Sequence, residues 1–307
     1  MRVLVTGASG FVGQHLVNVL VERGDEVVAW GFSDAVAAEG AIVDLRDAEA
    51  PDRHNLRGLE AVVHLAGLAQ ASRSFTEPAG YVATNTAMEI NLFEALLRQG
   101  SVPRVLVVSS GSVYADRAEM MTEESPVDPS SPYVVSKLTQ ELLGWYYAKR
   151  GFEVIVARPF NHIGPGQERG YLVPDVCSQI VAVEQRGGGE ITVGDLTSSR
   201  DYTDVRDVAS AYHSLIHQGH PAETYNVCSG KSRSGEALVA MLCALSSADI
   251  TLTNDPKLAR PTDARDVQAS NAAIREHTGW APIVPLETTL IETLEYWRTK
   301  LAGELLS

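Results

Sequence analysis

Gly7-Ala8-Ser9-Gly10-Phe11-Val12-Gly13 stands between an apolar run, Val3 to Thr6, and a stretch where Val12, Leu16, Val19 and Leu20 recur at helical spacing before Gly24. A glycine-rich turn that leads from a strand into a helix is the opening unit of a dinucleotide-binding α/β sheet. Gly7 permits the tight turn, Gly10 lets the backbone approach a pyrophosphate, and Gly13 lets the helix pack close to the strand. The N–H groups at Phe11 and Val12 open the helix, and a helix N-terminus faces phosphate favourably.

The next strands agree with that beginning. Glu26 to Trp30 reads as a second strand. An acidic residue normally follows it and holds the ribose 2′-hydroxyl of NAD; Gly31-Phe32-Ser33 stands there instead. Without that carboxylate a 2′-phosphate is not repelled. That favours NADP(H), with Ser33 and backbone N–H groups as phosphate ligands. No arginine follows directly, and Asp34 reaching back would make NAD(H) the cofactor. Ala41 to Leu45 reads as a third strand ending in Asp44-Leu45, where the carboxylate either accepts from an adenine amino group or is an ordinary strand-end aspartate. Ala61 to Leu65 is a fourth strand, and Leu65-Ala66-Gly67 is small enough for the backbone to pass under a cofactor. His64 lies inside the apolar run and reads as a core histidine. A long helix from Ala79 to Arg98 carries Asn85, which either bridges strand ends or touches the cofactor.

Arg104 to Ser109 is a fifth strand, followed by Ser110-Gly111-Ser112-Val113-Tyr114. A serine at the carboxyl end of such a strand stands where α/β sheets bind ligands. Ser130-Ser131-Pro132 then starts a helix reaching Arg150. Tyr133 and Lys137 lie four apart on one face of it. An ammonium beside a phenol stabilises the phenolate and lowers its pKa from about 10. Such a phenol can exchange a proton with a hydroxyl on carbon. Glu153 to Ala157 is a sixth strand, and Arg158 to Gln167 reads as a shaped loop rather than a linker.

Strands alternating with helices predict an α/β fold, a Rossmann-type doubly wound parallel sheet. The last third reads differently. Ile191–Gly194 and Ser199–Val205 are short strands, a helix enters at Asp207, and Tyr225–Val227 returns to the sheet. Small elements follow at Ser234 onward, Ile250–Leu252 and Leu286–Trp297. The expected division is a dinucleotide-binding domain over 1–165, with sheet contributions from about 200–230. A smaller interleaved substrate-binding lobe spans 166–307. The net charge of −14 argues against a nucleic-acid binder, which needs a basic face. The 3 cysteines are widely spaced, with no disulfide framework and no metal spacing, so no metal is expected. No signal peptide precedes the first strand and no apolar run spans a bilayer. A cytoplasmic protein without a membrane partner is expected.

Gly7-x-x-Gly10-x-x-Gly13, Ser110, Tyr133-x-x-x-Lys137 and Arg200-Asp201-Tyr202 together resemble the extended short-chain dehydrogenase/reductases that act on nucleotide sugars, over essentially the whole chain. Arg158 to Gln167 and Tyr225-Asn226-Val227-Cys228-Ser229-Gly230 are similar to the branch that reduces GDP-6-deoxy-4-keto-mannose to GDP-D-rhamnose. The resemblance implies that Tyr133 protonates the oxygen at sugar C4. It implies that Lys137 holds the nicotinamide ribose and lowers the tyrosine pKa, and that Ser110 polarises the same carbonyl. Pro159 would join the cofactor site. Ser112, Asn161, Arg200, Arg260 and Asp263 would face the substrate: Asn161 on the sugar, Arg200 and Arg260 on the diphosphate, Asp263 on the nucleoside ribose. Ion pairing with Asp201 or Asp204 is the other reading of Arg200, and solvation that of Arg260 and Arg265. The expected partner is a nucleotide sugar, GDP-linked by preference. A homodimer or higher homo-oligomer is implied through the helices at Ala79–Arg98 and Tyr133–Arg150, where Leu138, Leu142, Trp145 and Tyr146 exceed what one buried face uses.

The dehydratases of that family carry a glutamate two residues after the catalytic serine or threonine. Here Ser112 stands there, and a hydroxyl without a base is a poor proton acceptor. The reading is therefore an NADP(H)-dependent 4-ketoreductase. Its alternatives are a nucleotide-sugar 4-epimerase with bound NAD, a GDP-mannose 4,6-dehydratase, and a non-catalytic NADP-binding sensor.

Overall fold

A computed structural model describes residues 1–33, 40–116, 119–258 and 266–304. In chain order the strands are β1 Arg2–Thr6, β2 Glu26–Gly31, β3 Ala41–Ile42, β4 Ala61–His64, β5 Arg104–Val108, β6 Glu153–Pro159, β7 Asn161–Ile163, β8 Gly189–Val193, β9 Ser199–Asp204, β10 Thr224–Val227, β11 Ser232–Ser234 and β12 Ile250–Asn254. The helices are α1 Phe11–Glu22, α2 Ala71–Ser74, α3 Pro78–Arg98, α4 Pro132–Ala148, α5 Leu172–Arg186, α6 Val205–Gln218, α7 Gly235–Ala244, α8 Ala272–Thr278 and α9 Leu286–Glu304.

Seven strands form one parallel sheet in the order β10-β6-β5-β4-β1-β2-β3. The order reverses between β1 and β4, and ligands of such sheets bind at the carboxyl ends beside that reversal. Successive side chains of a strand point to opposite faces, and the core divides accordingly. Val3 and Val5 join Leu16, Leu20, Tyr212 and Leu215 of α1 and α6. Leu4 joins Leu92, Phe93 and Tyr147 of α3 and α4 on the other face. Both faces are covered, which is why these strands are apolar runs rather than alternating ones.

A three-stranded sheet, β11-β9-β7, and a two-stranded one, β12-β8, lie in the second half. A third core of α5, α7 and α9 side chains includes Val176, Ile180, Leu238, Leu290 and Trp297.

Three expectations need correction. The third strand ends at Ile42, because Asp44 accepts from the Arg46 N–H at 3.0 Å and the chain turns. The Arg158–Gln167 segment is not all loop: β6 runs to Pro159, and Asn161–Ile163 pairs with Tyr202–Asp204 of β9. Leu172–Arg186 is a full helix, α5, where the sequence reading places no element.

Candidate active site

The glycine turn is built as a close three-way contact. Gly7 has φ +70, and a Cβ there would meet the Ala66 nitrogen and the Leu65 carbonyl carbon at 2.9 Å each. A Cβ on Gly13 would lie 2.2 Å from the Gly7 oxygen and 2.7 Å from the Ala8 Cα. Only glycine lets α1 start this near β1 and the β4 end. Gly10 is different: an added Cβ would meet only the Gly7 oxygen, at 3.1 Å, so its side is open. No side chain caps α1 at Gly10, which leaves Phe11 and Val12 at an uncapped N-terminus. An open glycine before such an N-terminus fits a dinucleotide pyrophosphate.

The β2 end is tied to this turn, with the Phe32 N–H donating to Ser9 Oγ at 3.1 Å. Gly31 ends β2, and Phe32 and Ser33 are exposed beyond it. Asp44 is gripped by Arg46, with Nε and Nη2 at 2.8 and 2.7 Å, and that guanidinium holds its carboxyl below the usual range. The same Arg46 lies 5.0 Å over the Phe32 ring. A cation therefore stands beside the β2 end, although none follows β2 in sequence. Leu45 is buried, and its carbonyl accepts from Asn91 at 2.8 Å. Asp34 lies outside the described residues.

Gly67 brings the β4 end to α4. A Cβ on it would lie 3.5 Å from Asn85 Oδ1 and 3.8 Å from Lys137 Nζ. Asn85 is fully buried and acts as a bridge. Its Oδ1 accepts from the Leu68 N–H at 2.8 Å and its Nδ2 donates to Ser136 Oγ at 2.9 Å. It links the loop after β4 to α4 rather than two strand ends. His64 is a core residue, sharing a hydrogen bond with Thr6 Oγ1 at 2.9 Å. Burial pushes its imidazole down to about 3, so it stays neutral.

Ser131 caps α4 by accepting from the Val134 N–H at 3.2 Å, with Pro132 in the first turn. That start sets Tyr133 and Lys137 inward, and both are buried. Lys137 Nζ donates to the Val108 carbonyl at the β5 end, at 2.8 Å. Burial lowers its ammonium to about 8, while Glu89 and Glu141 pull it back up. Ser110 accepts from the Ser112 N–H at 3.1 Å, which fixes its hydroxyl.

The expectation that Lys137 lowers the Tyr133 phenol is corrected here. Burial raises the phenol to about 12, and the group working against burial is Ser110, through a hydrogen bond. One helical turn puts the lysine on the same face, and one of its three donors goes to the Val108 carbonyl.

Gly111 is required by packing, since a Cβ there would lie 2.8 Å from the Phe160 ring. Ser112 is exposed. Pro159 is buried at the end of β6 and Asn161 opens β7, exposed. The Phe160–Gln167 loop is held to α1 by a Phe11–His162 ring stack at 6.1 Å and by a His15–Pro165 carbonyl contact at 3.0 Å. Arg200 lies on β9, its Nη1 donating to the Ser199 carbonyl at 2.8 Å. Asp201 accepts from Ser229 and Gly230, and Asp204 pairs with Arg206. Arg260, Asp263 and Arg265 lie outside the described residues.

Ser110, Tyr133, Lys137, Asn85 and Leu65–Gly67 are thus brought together beside the glycine turn. The sequence reading misses two features. One is a buried pair behind the site, in which Arg158 holds Glu141 and Ser109 Oγ donates to the same carboxylate at 2.5 Å. The other is Arg233, which the β11–β9 register sets directly opposite Arg200. Its signal was present in Ser232-Arg233-Ser234, a short polar strand soon after β10.

Residues 3–228 match the family described as NAD dependent epimerase/dehydratase family. The chain is 34% identical over 313 residues to GDP-6-deoxy-D-mannose reductase of Pseudomonas aeruginosa, covering 99% of each. It is 32% identical over 326 residues to UDP-glucose 4-epimerase of Mycolicibacterium smegmatis, covering 98% of this chain and 99% of the other. The solved structure of RMD from Pseudomonas aeruginosa complexed with NADPH superposes with a TM-score of 0.88 at 33% identity, covering 97% and 99%.

Proposed function

Because the chain belongs to the NAD dependent epimerase/dehydratase family of NAD(P)-dependent oxidoreductases, we propose that it reduces the C4 keto group of GDP-4-keto-6-deoxy-D-mannose with NADPH and forms GDP-D-rhamnose. One observation carries the reading. A buried phenol, Tyr133, lies close enough to Ser110 to be affected by it and is kept protonated at neutral pH by burial, while the position that a dehydratase gives to a carboxylate holds the exposed hydroxyl of Ser112. A protonated phenol is a donor, which suits carbonyl reduction. With no base at Ser112, deprotonation at sugar C5 does not follow. The full-length likeness to a GDP-6-deoxy-D-mannose reductase supports the same substrate.

The turn at Gly7, Gly10, Phe11, Val12 and Gly13 would hold the pyrophosphate. Asp44 and Leu45 would face the adenine end. Ser33, with Arg46 beside Phe32, would take a 2′-phosphate; this and the missing carboxylate after β2 favour NADP(H) over NAD(H). Leu65, Ala66, Gly67, Asn85, Lys137 and Pro159 would line the nicotinamide half. The dinucleotide, when bound, supplies the hydride. Tyr133 gives its proton to the C4 oxygen, Ser110 hydrogen-bonds that oxygen, and Lys137 holds the nicotinamide ribose. Catalysis is then mainly positioning. Asn161 would fix the sugar. Arg200, Arg260 and Asp263 would hold the diphosphate and nucleoside ribose. Arg233, set opposite Arg200 by the strand register, would join them.

In this reading 1–165 is the cofactor domain and 166–307 mainly the substrate lobe. Cys177, Cys228 and Cys243 are all free thiols, in keeping with a cytoplasmic enzyme, and no helix among the described residues is long and apolar enough to cross a membrane. The protein would work as a homodimer through α3 and α4.

The test is incubation with NADPH or NADH and each sugar nucleotide, following absorbance and product by NMR. NADPH oxidation with GDP-4-keto-6-deoxy-mannose, and no dehydration of GDP-mannose, is expected. The epimerase match supports a second reading, which wins if UDP-sugars interconvert at C4 without net loss of NADPH.

A further inference from the structure

At the opposite end of the sheet, far from the glycine turn, three side chains converge that the reaction does not use. Asp25 sits in the turn between α1 and β2, and its side chain is only 3% exposed. His213 and His217 lie one turn apart near the end of α6, the helix packed against α1. Asp25 Oδ2 is 3.1 Å from His217 Nε2 and 3.5 Å from His213 Nε2. Within this group every ligand atom lies within 4.8 Å of the others.

We infer that Asp25, His213 and His217 form a binding site for a first-row divalent transition ion such as Zn²⁺, which staples α6 to the α1–β2 turn. Zinc bonds to imidazole nitrogen and carboxylate oxygen are about 2.0–2.2 Å long, so tetrahedral ligand atoms stand about 3.3 Å apart. The two distances from Asp25 Oδ2, 3.1 and 3.5 Å, bracket that spacing. Two imidazoles and one carboxylate suit zinc, nickel, cobalt or copper rather than magnesium or calcium. The histidine side chains are 15% and 29% exposed, which leaves a path for the ion and room for a water as fourth ligand.

Two cations face the site. The Met1 ammonium holds the other oxygen of Asp25 at 2.7 Å, which fixes the carboxylate but leaves Oδ2 for the ion. Arg23 Nη1 lies 2.9 Å from His213 Nδ1, and its Nη2 donates to Ser210 Oγ at 2.8 Å. A neutral imidazole that ligates through Nε2 keeps its proton on Nδ1. Arg23 cannot donate there at the same time, so this exposed side chain must swing out on binding. Arg23 therefore competes with the ion, and its removal tightens the site.

The experiment titrates the full chain with ZnCl₂ by calorimetry and repeats it with MgCl₂. One Zn²⁺ per chain and no saturable Mg²⁺ heat are expected. CoCl₂ should give the strong visible absorption of a tetrahedral ion, removed by Zn²⁺. His213→Gln and His217→Gln should each weaken Zn²⁺ at least about tenfold. Arg23→Met should tighten it at least about threefold by removing a nearby like charge. Circular dichroism verifies that each variant is folded. Imidazole nitrogen shifts of the unaltered chain report the same ligands without any mutation. Wild-type affinity in both histidine variants, absence of a 1:1 event below millimolar Zn²⁺, or weaker binding in Arg23→Met would overturn the assignment.

Discussion

Arg158 closes on both oxygens of Glu141, Nε at 2.9 Å and Nη2 at 2.7 Å, across the buried space between β6 and α4. The guanidinium also lies 4.8 Å over the Tyr114 ring and donates to the Glu123 carbonyl at 3.2 Å. Removing one partner of a buried pair leaves the other charge uncompensated, at a cost of about 3–5 kcal/mol. Glu141→Ala should show that loss in chemical denaturation. A Glu141→Leu, Arg158→Met double variant should recover most of it. Equal losses in the single and double variants would mean that packing, not charge, holds these elements.

Glu89 poses the opposite problem. It is fully buried on α3, and neither oxygen has a well-formed hydrogen bond among the described residues, although Gln140 lies near. Burial raises its carboxyl well above the usual range, and Lys137 and Gln140 only partly offset that. A carboxyl raised on folding contributes its full stability below the unfolded pKa of about 4.3. That contribution is lost as pH rises through the folded value. Glu89→Gln should therefore be more stable than the parent at pH 8, by about 1–3 kcal/mol. The two should converge near pH 4. A difference that does not change with pH would show that Glu89 is not the titrating group.

What could be read in the sequence follows the range of the forces involved. β1, β4, β5 and the starts of α1 and α4 depend on local periodicity, glycine turns and capping, and all were legible. The motif spacing also located Ser110, Tyr133 and Lys137. The end of β3 was misplaced because Asp44 competes for backbone N–H groups within its own turn. α5 was legible in principle, since Val173, Val176, Cys177, Ile180 and Val181 recur at helical spacing. The acidity of Tyr133 was not, because it depends on burial. Glu141–Arg158 and Asp25–His213–His217 arise only when distant elements pack.

The glycine turn separates binding from folding. A Gly10 Cβ would meet one carbonyl oxygen at 3.1 Å, and the residue has φ −77, which alanine adopts freely. Gly10→Ala should melt close to the parent yet bind NADPH at least about tenfold more weakly, since a methyl then obstructs the pyrophosphate's approach. Gly13→Ala places its Cβ 2.2 Å from backbone oxygen, which cannot yield by a rotamer change. It should be destabilised outright, by about 1–3 kcal/mol or more. Thermal melts with and without NADPH separate the two, and unaltered NADPH affinity in Gly10→Ala would refute the assignment.

On α4, Val135, Leu142 and Tyr146 are exposed, and Leu138 lies between them half-buried. Their spacing makes one apolar stripe along the helix. If a second copy covers it, light scattering should give a dimer at micromolar concentration. Leu142→Arg, a change at a position 69% exposed, should then yield a folded monomer. A parent that is already monomeric would dismiss the interface.

The pH profile separates Tyr133 from Lys137. With its phenol pushed up to about 12, Tyr133 keeps its proton throughout the neutral range. Lys137, lowered to about 8 by burial, is the group that changes charge within the working range. The profile of kcat/KM reports the free enzyme. Ketone reduction should be level through neutrality and fall above about pH 8, as the ammonium that would hold the cofactor ribose loses its proton. Tyr133→Phe removes the proposed proton donor and should lower kcat by about 10²–10⁴-fold. Cofactor affinity in that variant should still weaken above about pH 8, because Lys137 is untouched. If the break disappears with the phenol, the titrating group is Tyr133 and its burial does not raise it. If the break survives in Tyr133→Phe and disappears in Lys137→Met, the proton donor and the pH-sensitive anchor are two separate residues one helical turn apart.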